Sequence, residues 1–311
     1  MDVDILIIGQ PTVAFTPEEI NAIKDWFNTG NKVVWIAADS DYGPGPSIQE
    51  IANLLLENIG SSLRIDLCAV EDPVQNAKKP YRVVANVEPD PAAEEVKTGV
   101  VNPVLYHGPA LVAYVAPNGT WKPLEGVAPE NIIRIVRTSK NGTIVENNPP
   151  PAKAHTAGDK GKLVLLAAEF ITVGDKVNLV IASGESPYGD YEPTWASSYY
   201  GVPLSGPRFV VNMITWALNA QTNYNRMQTI SKQKAKIIEL QRNIESLQSQ
   251  IRDLNDKVAK LEVEKNKQSL HESRGRNNNR TYNRDSNKTG TAKKKERLAI
   301  YLYFFISRLL A

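Results

Sequence analysis

Hydrophobic residues fall into different patterns along the chain, and each predicts a different element. Ile5-Leu6-Ile7-Ile8 and Val33-Val34-Trp35-Ile36-Ala37 lack polar alternation, as expected of strands buried on both faces of a parallel sheet. Between them, Phe15-Thr16-Pro17-Glu18-Glu19-Ile20 carries the marks of a helix start. Thr16 is the N-cap, Pro17 sits at N1, Glu19 completes a capping box and Phe15 staples onto Ile20. Ile20, Ile23, Trp26 and Phe27 share the inner face of that helix, and Gly30 ends it. Strand, helix and strand joined by short links predict a right-handed βαβ unit. A second helix is expected from near Ser47, with Glu50 in the box position, to Gly60, and a strand from Leu63 to Val70.

From Asp72 to about Ala110 the chain is interrupted by Pro and poorly periodic. Leu111 to Val115, Ile132 to Val136 and Leu163 to Ala168 then read as short strands of an antiparallel elaboration. Val177 to Ala182 restores a buried strand, and Gly206-Pro207 announces a closing helix through Phe209 to Leu218.

Beyond residue 226 the period changes. Ile230, Ile237, Ile244, Ile251 and Val258 occupy position a of a heptad, and Leu240, Leu247, Leu254 and Leu261 position d. β-Branched residues at a with Leu at d pack best in a parallel two-stranded coiled coil. The flanking e and g positions are mostly neutral amides, with Lys257 and Glu262 the one attractive pair. The expected partner is therefore a second copy of the chain, paired in parallel on a rod of roughly 50 Å.

Composition sharpens this division. The net charge of +2 over 311 residues conceals an acidic N-terminal part and a basic stretch from Arg274 to Arg297. That stretch lacks the aromatic interleaving of a single-strand binder, so nucleic acid is not the expected partner. Residues 298–311 are apolar save for Ser307 and Arg308. Fourteen residues make about 21 Å of helix against about 30 Å of hydrocarbon, which predicts a short membrane-associating segment with a basic collar. The single Cys, Cys68, precludes an intrachain disulfide. Asn-x-Thr sequons occur at Asn118, Asn141, Asn279 and Asn287, a frequency that Asn-rich composition alone would give. The expected organisation is an α/β domain over 1–220, a coiled coil over 226–267, a disordered basic linker over 268–297 and the apolar segment.

Several stretches carry a family resemblance: Asp4 to Gly9, the helix from Thr16 to Gly30, the strand entering Asp39-Ser40-Asp41, and the late strand entering Ser183-Gly184-Glu185-Ser186 with its following helix. Together they resemble the class I glutamine-amidotransferase-like superfamily. More narrowly they resemble its non-catalytic, membrane-associated branch, which includes archaeal proteins that continue into a coiled coil and a C-terminal membrane segment. The resemblance implies a flavodoxin-like, mostly parallel sheet and a place in the cell envelope. It does not imply an activity. The superfamily's enzymes need a Cys on a strand-to-helix elbow with a His and a Glu brought to it. Cys68, inside Ile65-Asp66-Leu67-Cys68-Ala69-Val70, has no flanking Gly and no helix start, so a buried structural thiol is expected and no catalytic residue is assigned. His155, after a Pro-Pro-Pro loop, is given no role, and His107 is the one His placed to face a pocket.

Two acidic loops remain, Asp39-Ser40-Asp41-Tyr42 and Glu185-Ser186-Pro187-Tyr188-Gly189-Asp190-Tyr191. Both follow predicted parallel strands, at whose carboxyl ends ligands of open α/β sheets bind. Asp39, Asp41, Glu185 and Asp190 are candidate hard-oxygen ligands for Ca²⁺ or Mg²⁺. Tyr42, Tyr188, Tyr191, Trp195, Tyr199 and Tyr200 would add flat amphipathic surface for a protein or glycan. The leading expectation is a non-enzymatic, membrane-tethered dimer displaying its head on a stalk. The alternative is a divalent-ion-dependent, carbohydrate-binding or hydrolase-like head.

Overall fold

A computed structural model describes residues 2–188 and 193–277, with side chains as far as Glu272. It divides into a unit over residues 1–238 and a second that begins at Glu239. The first opens with β1 (Ile5–Ile8), α1 (Pro17–Phe27), β2 (Val33–Ala37) and α2 (Gly45–Asn58). The predicted capping box forms: Thr16 Oγ1 accepts from the Glu19 N–H at 3.2 Å, and the Glu19 carboxylate accepts from the Thr16 N–H at 2.8 Å. Gly30, at φ +79°, ends the turn in a conformation that costs glycine little. α2 departs from expectation, since it starts at Gly45 with Pro44 as N-cap and no side-chain cap. Ser47 instead donates its hydroxyl to the Pro44 carbonyl.

The predicted strand 63–70 is broken into β3 (Leu63–Ile65) and β4 (Ala69–Glu71), because Asp66 turns the chain and accepts the Leu67 N–H on its own carboxylate. There follow β5 (Arg82–Val87), a 3₁₀ segment over Pro91–Lys97, β6 (Val104–His107), β7 (Val112–Val115) and β8 (Trp121–Pro123). Next come β9 (Ile132–Arg137), β10 (Gly142–Val145), β11 (Lys160–Gly161), β12 (Val164–Val173) and β13 (Lys176–Ser183). β14 (Ser198–Tyr199), β15 (Val202–Pro203), α3 (Gly206–Leu218) and α4 (Ala220–Asn277) complete the described chain.

The main sheet runs β1-β2-β13-β12-β9-β5-β6. Only β1 with β2 and β2 with β13 pair in parallel; the other pairings, β12 with β13 and β9, and β5 with β9 and β6, are antiparallel. The expectation of a flavodoxin-like, mostly parallel sheet is therefore corrected to a mixed, mostly antiparallel one in an α/β domain. The connections supply the reason. Parallel neighbours need a crossover of a dozen or more residues, whereas Val173 and Lys176 face each other across the two-residue turn Gly174-Asp175, which makes β12 and β13 a hairpin.

Alternate residues of β2 enter opposite cores. Val33 and Trp35 pack on the side closed by α3, with Phe209, Met213 and Trp216, whereas Val34 and Ile36 pack with Trp26, Phe27, Leu55 and Leu56 of α1 and α2. The buried run is thus explained by helices on both faces of the sheet.

α4 is one 58-residue helix, and its opening turns belong to the first unit. Ala220, Asn223 and Met227 are buried, Tyr224 lies ring to ring with Phe170 at 5.8 Å, and Ile230 packs against the α3-side core. Ile230 is thus a head residue rather than a free seam position, and the head extends past the predicted boundary at 220. From Ile237 onward the a and d residues are bare in the single chain: Ile237, Leu240, Ile244, Leu247, Ile251, Leu254, Val258 and Leu261 are each 48–63% exposed. Among the described residues no helix is long and apolar enough to cross a membrane. The apolar segment 298–311 and most of the basic stretch lie outside the described residues.

Candidate functional site

The strand ends β1, β2 and β13 converge on one corner of the head, and close backbone contact holds them there. A Cβ on Gly184 would stand 2.0 Å from the Ala110 carbonyl oxygen, and one on Gly45 would stand 1.6 Å from that of Ser40. Both positions therefore require glycine. Beside this corner lies a cavity of about 560 Å³, within the range of small-molecule sites. Its wall includes Asp39, Tyr42, Glu71, Tyr81, His107 and Asn147.

Of the predicted acidic residues, Asp39 and Glu185 come together and Asp41 does not join them. Glu185 is buried and accepts from Gln10 Nε2 at 2.8 Å, the Ser186 N–H at 2.8 Å and the His107 N–H at 2.9 Å. Burial, reinforced by the negative charge of Asp39, pushes its carboxyl well above the usual range despite those donors. Burial likewise raises Asp39 to about 6, with the Ser40 N–H opposing. Asp41 is committed elsewhere. Its carboxylate accepts from the Asn147 N–H, Asn147 Nδ2 at 2.7 Å and the Asn148 N–H at 3.1 Å, fastening the 146–148 loop. The expected four-carboxylate cage for Ca²⁺ or Mg²⁺ is thus reduced to the Asp39–Glu185 pair; Asp190 lies outside the described residues.

The aromatic candidates separate as well. Tyr42 is 74% exposed at the cavity mouth. Tyr188 is spent on structure, for its hydroxyl donates to the Ile7 carbonyl at 3.1 Å and accepts from the Gly9 N–H at 3.0 Å. These groups lie on the β1 edge away from β2, so the phenol does the work of one residue of an added strand. Trp195 is 38% exposed and lies outside the cavity wall, and Tyr191 is outside the described residues. Tyr199 and Tyr200, also expected to add aromatic surface, gather with Tyr81 and His107 around Arg82, a residue that sequence reasoning did not single out. Its guanidinium lies 4.0 Å from the Tyr200 ring centroid and 5.2 Å from that of Tyr81, and the His107 ring stands edge-on between Tyr81 and Tyr199. Burial, with the Arg82 charge, lowers the His107 pKa, so the ring is neutral at pH 7.

A second buried cluster gathers Asp66, Cys68, His155 and Glu125. His155 Nδ1 lies 2.8 Å from Asp66 Oδ2 and its Nε2 lies 3.2 Å from Glu125 Oε2. Burial alone would lower its pKa, but the two carboxylates outweigh that and raise it to about 9, so the ring is a buried imidazolium. Asp66 also accepts the N–H groups of Leu67, Lys153, Ala154 and His155. Burial raises the Asp66 pKa, but the His155 ring and the N–H groups of Lys153 and Ala154 together outweigh it and hold the carboxyl below its usual value.

Metal-capable atoms of Asp66, Cys68 and His155 lie within 4.8 Å of one another. Both His155 nitrogens are engaged, however, and burial with the Asp66 charge pushes the Cys68 thiol far up. The cluster therefore has neither a free base nor an activated thiolate. It acts as an ionic rivet between the 153–155 loop and the β3–β4 corner. No spacing rule could have found it, since Asp66 and His155 are 89 positions apart.

Comparisons of the chain with known family models, characterised proteins and solved structures found no match.

Proposed function

We propose that this chain is a self-associating binding protein. Its α/β head carries one ligand cavity at the strand ends, and a parallel two-stranded coiled coil pairs two heads and carries them on a stalk. The amidotransferase-like, membrane-associated branch remains the resemblance that suits this arrangement. In that setting the 298–311 segment would hold the stalk at a membrane of the cell envelope.

One observation supports the reading most. Eight consecutive a and d residues from Ile237 to Leu261 are about half exposed, on a helix whose preceding turns bury their own apolar residues against the head. A row of β-branched and Leu side chains about 37 Å long is costly to leave in water and is the surface that a second copy covers. The head's cavity supports the binding half of the reading. The test is the double substitution Ile244→Asn with Ile251→Asn, followed by light scattering. The variant should fall to the mass of one chain while keeping the far-ultraviolet and near-ultraviolet dichroism of the head. A variant that stays at the wild-type mass would count against the seam.

A further inference from the structure

The cavity beside Asp39 has a consistent chemistry. Asp39 and Glu71 lie in its wall, Glu185 is buried behind the His107 backbone, and the wall contains no Lys or Arg among the described residues. Neither Asp39, Glu71 nor Glu185 is in a salt bridge among the described residues. Asp39 Oδ1 accepts its neighbour's N–H at 2.7 Å, while Oδ2 accepts nothing from the described protein.

Beneath the wall, the fully buried Gln49 gives its amide N–H groups to the Asp39 and Cys68 carbonyls, and its Oε1 is left without a partner. Buried acceptors without donors and carboxylates without counter-charges are both costly. What the wall itself lacks is a cationic side chain. Asn147, the amide in the wall, has turned its N–H groups to Asp41. Arg82, on the adjoining strand, is held on the Tyr200 and Tyr81 rings rather than on a carboxylate, which shows that this tyrosine group accommodates a cation.

Resting on the reading of the head as a binding module, we propose that the cavity binds a small organic cation bearing a primary ammonium, seated on Asp39 and flanked by Glu71 and the Tyr42 and Tyr81 rings. The ammonium brings the charge that the wall lacks, together with three N–H donors. The raised pKa of Asp39 fits the same picture, because near pH 6 and below a proton does the neutralising when no ligand does. Glu71, His107, Tyr42 and Tyr81 share the wall with Asp39, the buried Glu185 interacts with it through charge, and Arg82 acts on His107.

Isothermal titration of the full chain at pH 7.5 and fixed ionic strength, with putrescine, tetramethylammonium chloride, methyl glucoside and calcium chloride as probes, tests the proposal. Putrescine should bind saturably and tetramethylammonium, which has no N–H, more weakly. Asp39→Asn should weaken putrescine at least about tenfold, as expected for loss of a charged hydrogen bond. Should Asp39→Asn fail to fold by circular dichroism, Glu71→Gln carries the same comparison. No saturable putrescine binding, undiminished binding in the folded variant, or preference for the glucoside or for calcium would each overturn the assignment. The stalk variant Ile244→Asn with Ile251→Asn should bind putrescine as the wild type does. A dimer that ignores putrescine therefore sinks this inference alone, and a wild-type monomer that binds it sinks the stalk reading alone.

Discussion

Two stretches of the same helix have opposite surroundings. Over residues 220–238, α4 buries Ala220, Asn223 and Met227, ties Asn223 Nδ2 to the Trp216 carbonyl at 2.6 Å and pairs Arg226 with Glu95 at 2.8 Å. From residue 239 to 272 no side chain is buried, although the apolar rungs are as regular as any in the chain. The contrast separates two sources of stability. The head buries its apolar area within one chain, so its folding should not depend on protein concentration. The stalk's apolar row is exposed in the single chain; if a second copy covers it, as proposed, its melting should shift with concentration as mass action requires.

Changes confined to the head sharpen this separation. The largest effect is expected for His155→Ala, which leaves the Asp66 carboxylate buried without its counter-ion. Breaking such a pair costs about 3–5 kcal/mol, to be read from urea unfolding of the head, while the mass of the assembly stays unchanged. A shift in mass would mean that head and stalk are not separable in the way proposed.

An alkaline titration should show a smaller, graded loss. His155 titrates at about 9 in the folded chain against 6.5 for the free residue. Its raised pKa therefore stabilises the head fully below about pH 6.5 and ceases to do so as pH rises through 9. The wild type should lose more stability between pH 7 and 9.5 than His155→Ala does, and equal slopes would remove the buried imidazolium from the account. The smallest effect belongs to Thr16→Ala, which deletes the α1 cap for about 1 kcal/mol. It should lower the head's thermal midpoint and leave self-association untouched.

Three self-contained local signals were read correctly, whereas the Ser47–Glu50 box was not, since α2 starts at Gly45 without a side-chain cap. The capping box of Thr16 and Glu19, the αL glycine at position 30 and the two-sided burial of β2 need only a few neighbouring residues. Sheet direction was misread even where its signal, the two-residue Gly174-Asp175 turn, was local. The β12 strand runs to Val173, beyond the apolar run that predicts it, and the Gly174-Asp175 turn that makes a hairpin lies outside that run.

The candidate site was half legible. Asp39, Tyr42 and Glu185 meet at the predicted corner because they follow buried strands. Asp41 was lost to Asn147 and Asn148, and Tyr188 to the β1 edge, since pairing across 106 or more positions leaves no periodic trace. The apolar rungs from Ile237 onward stand exposed as the expected seam requires, but its first position does not. Ile230 satisfies the heptad and the head alike, and packing against the core decides between them.

Sedimentation equilibrium of the full chain in mild detergent, across micromolar concentrations, tests the central claim most directly. The account predicts a protein mass of twice 34.4 kDa. A single species at 34.4 kDa throughout that range would contradict it.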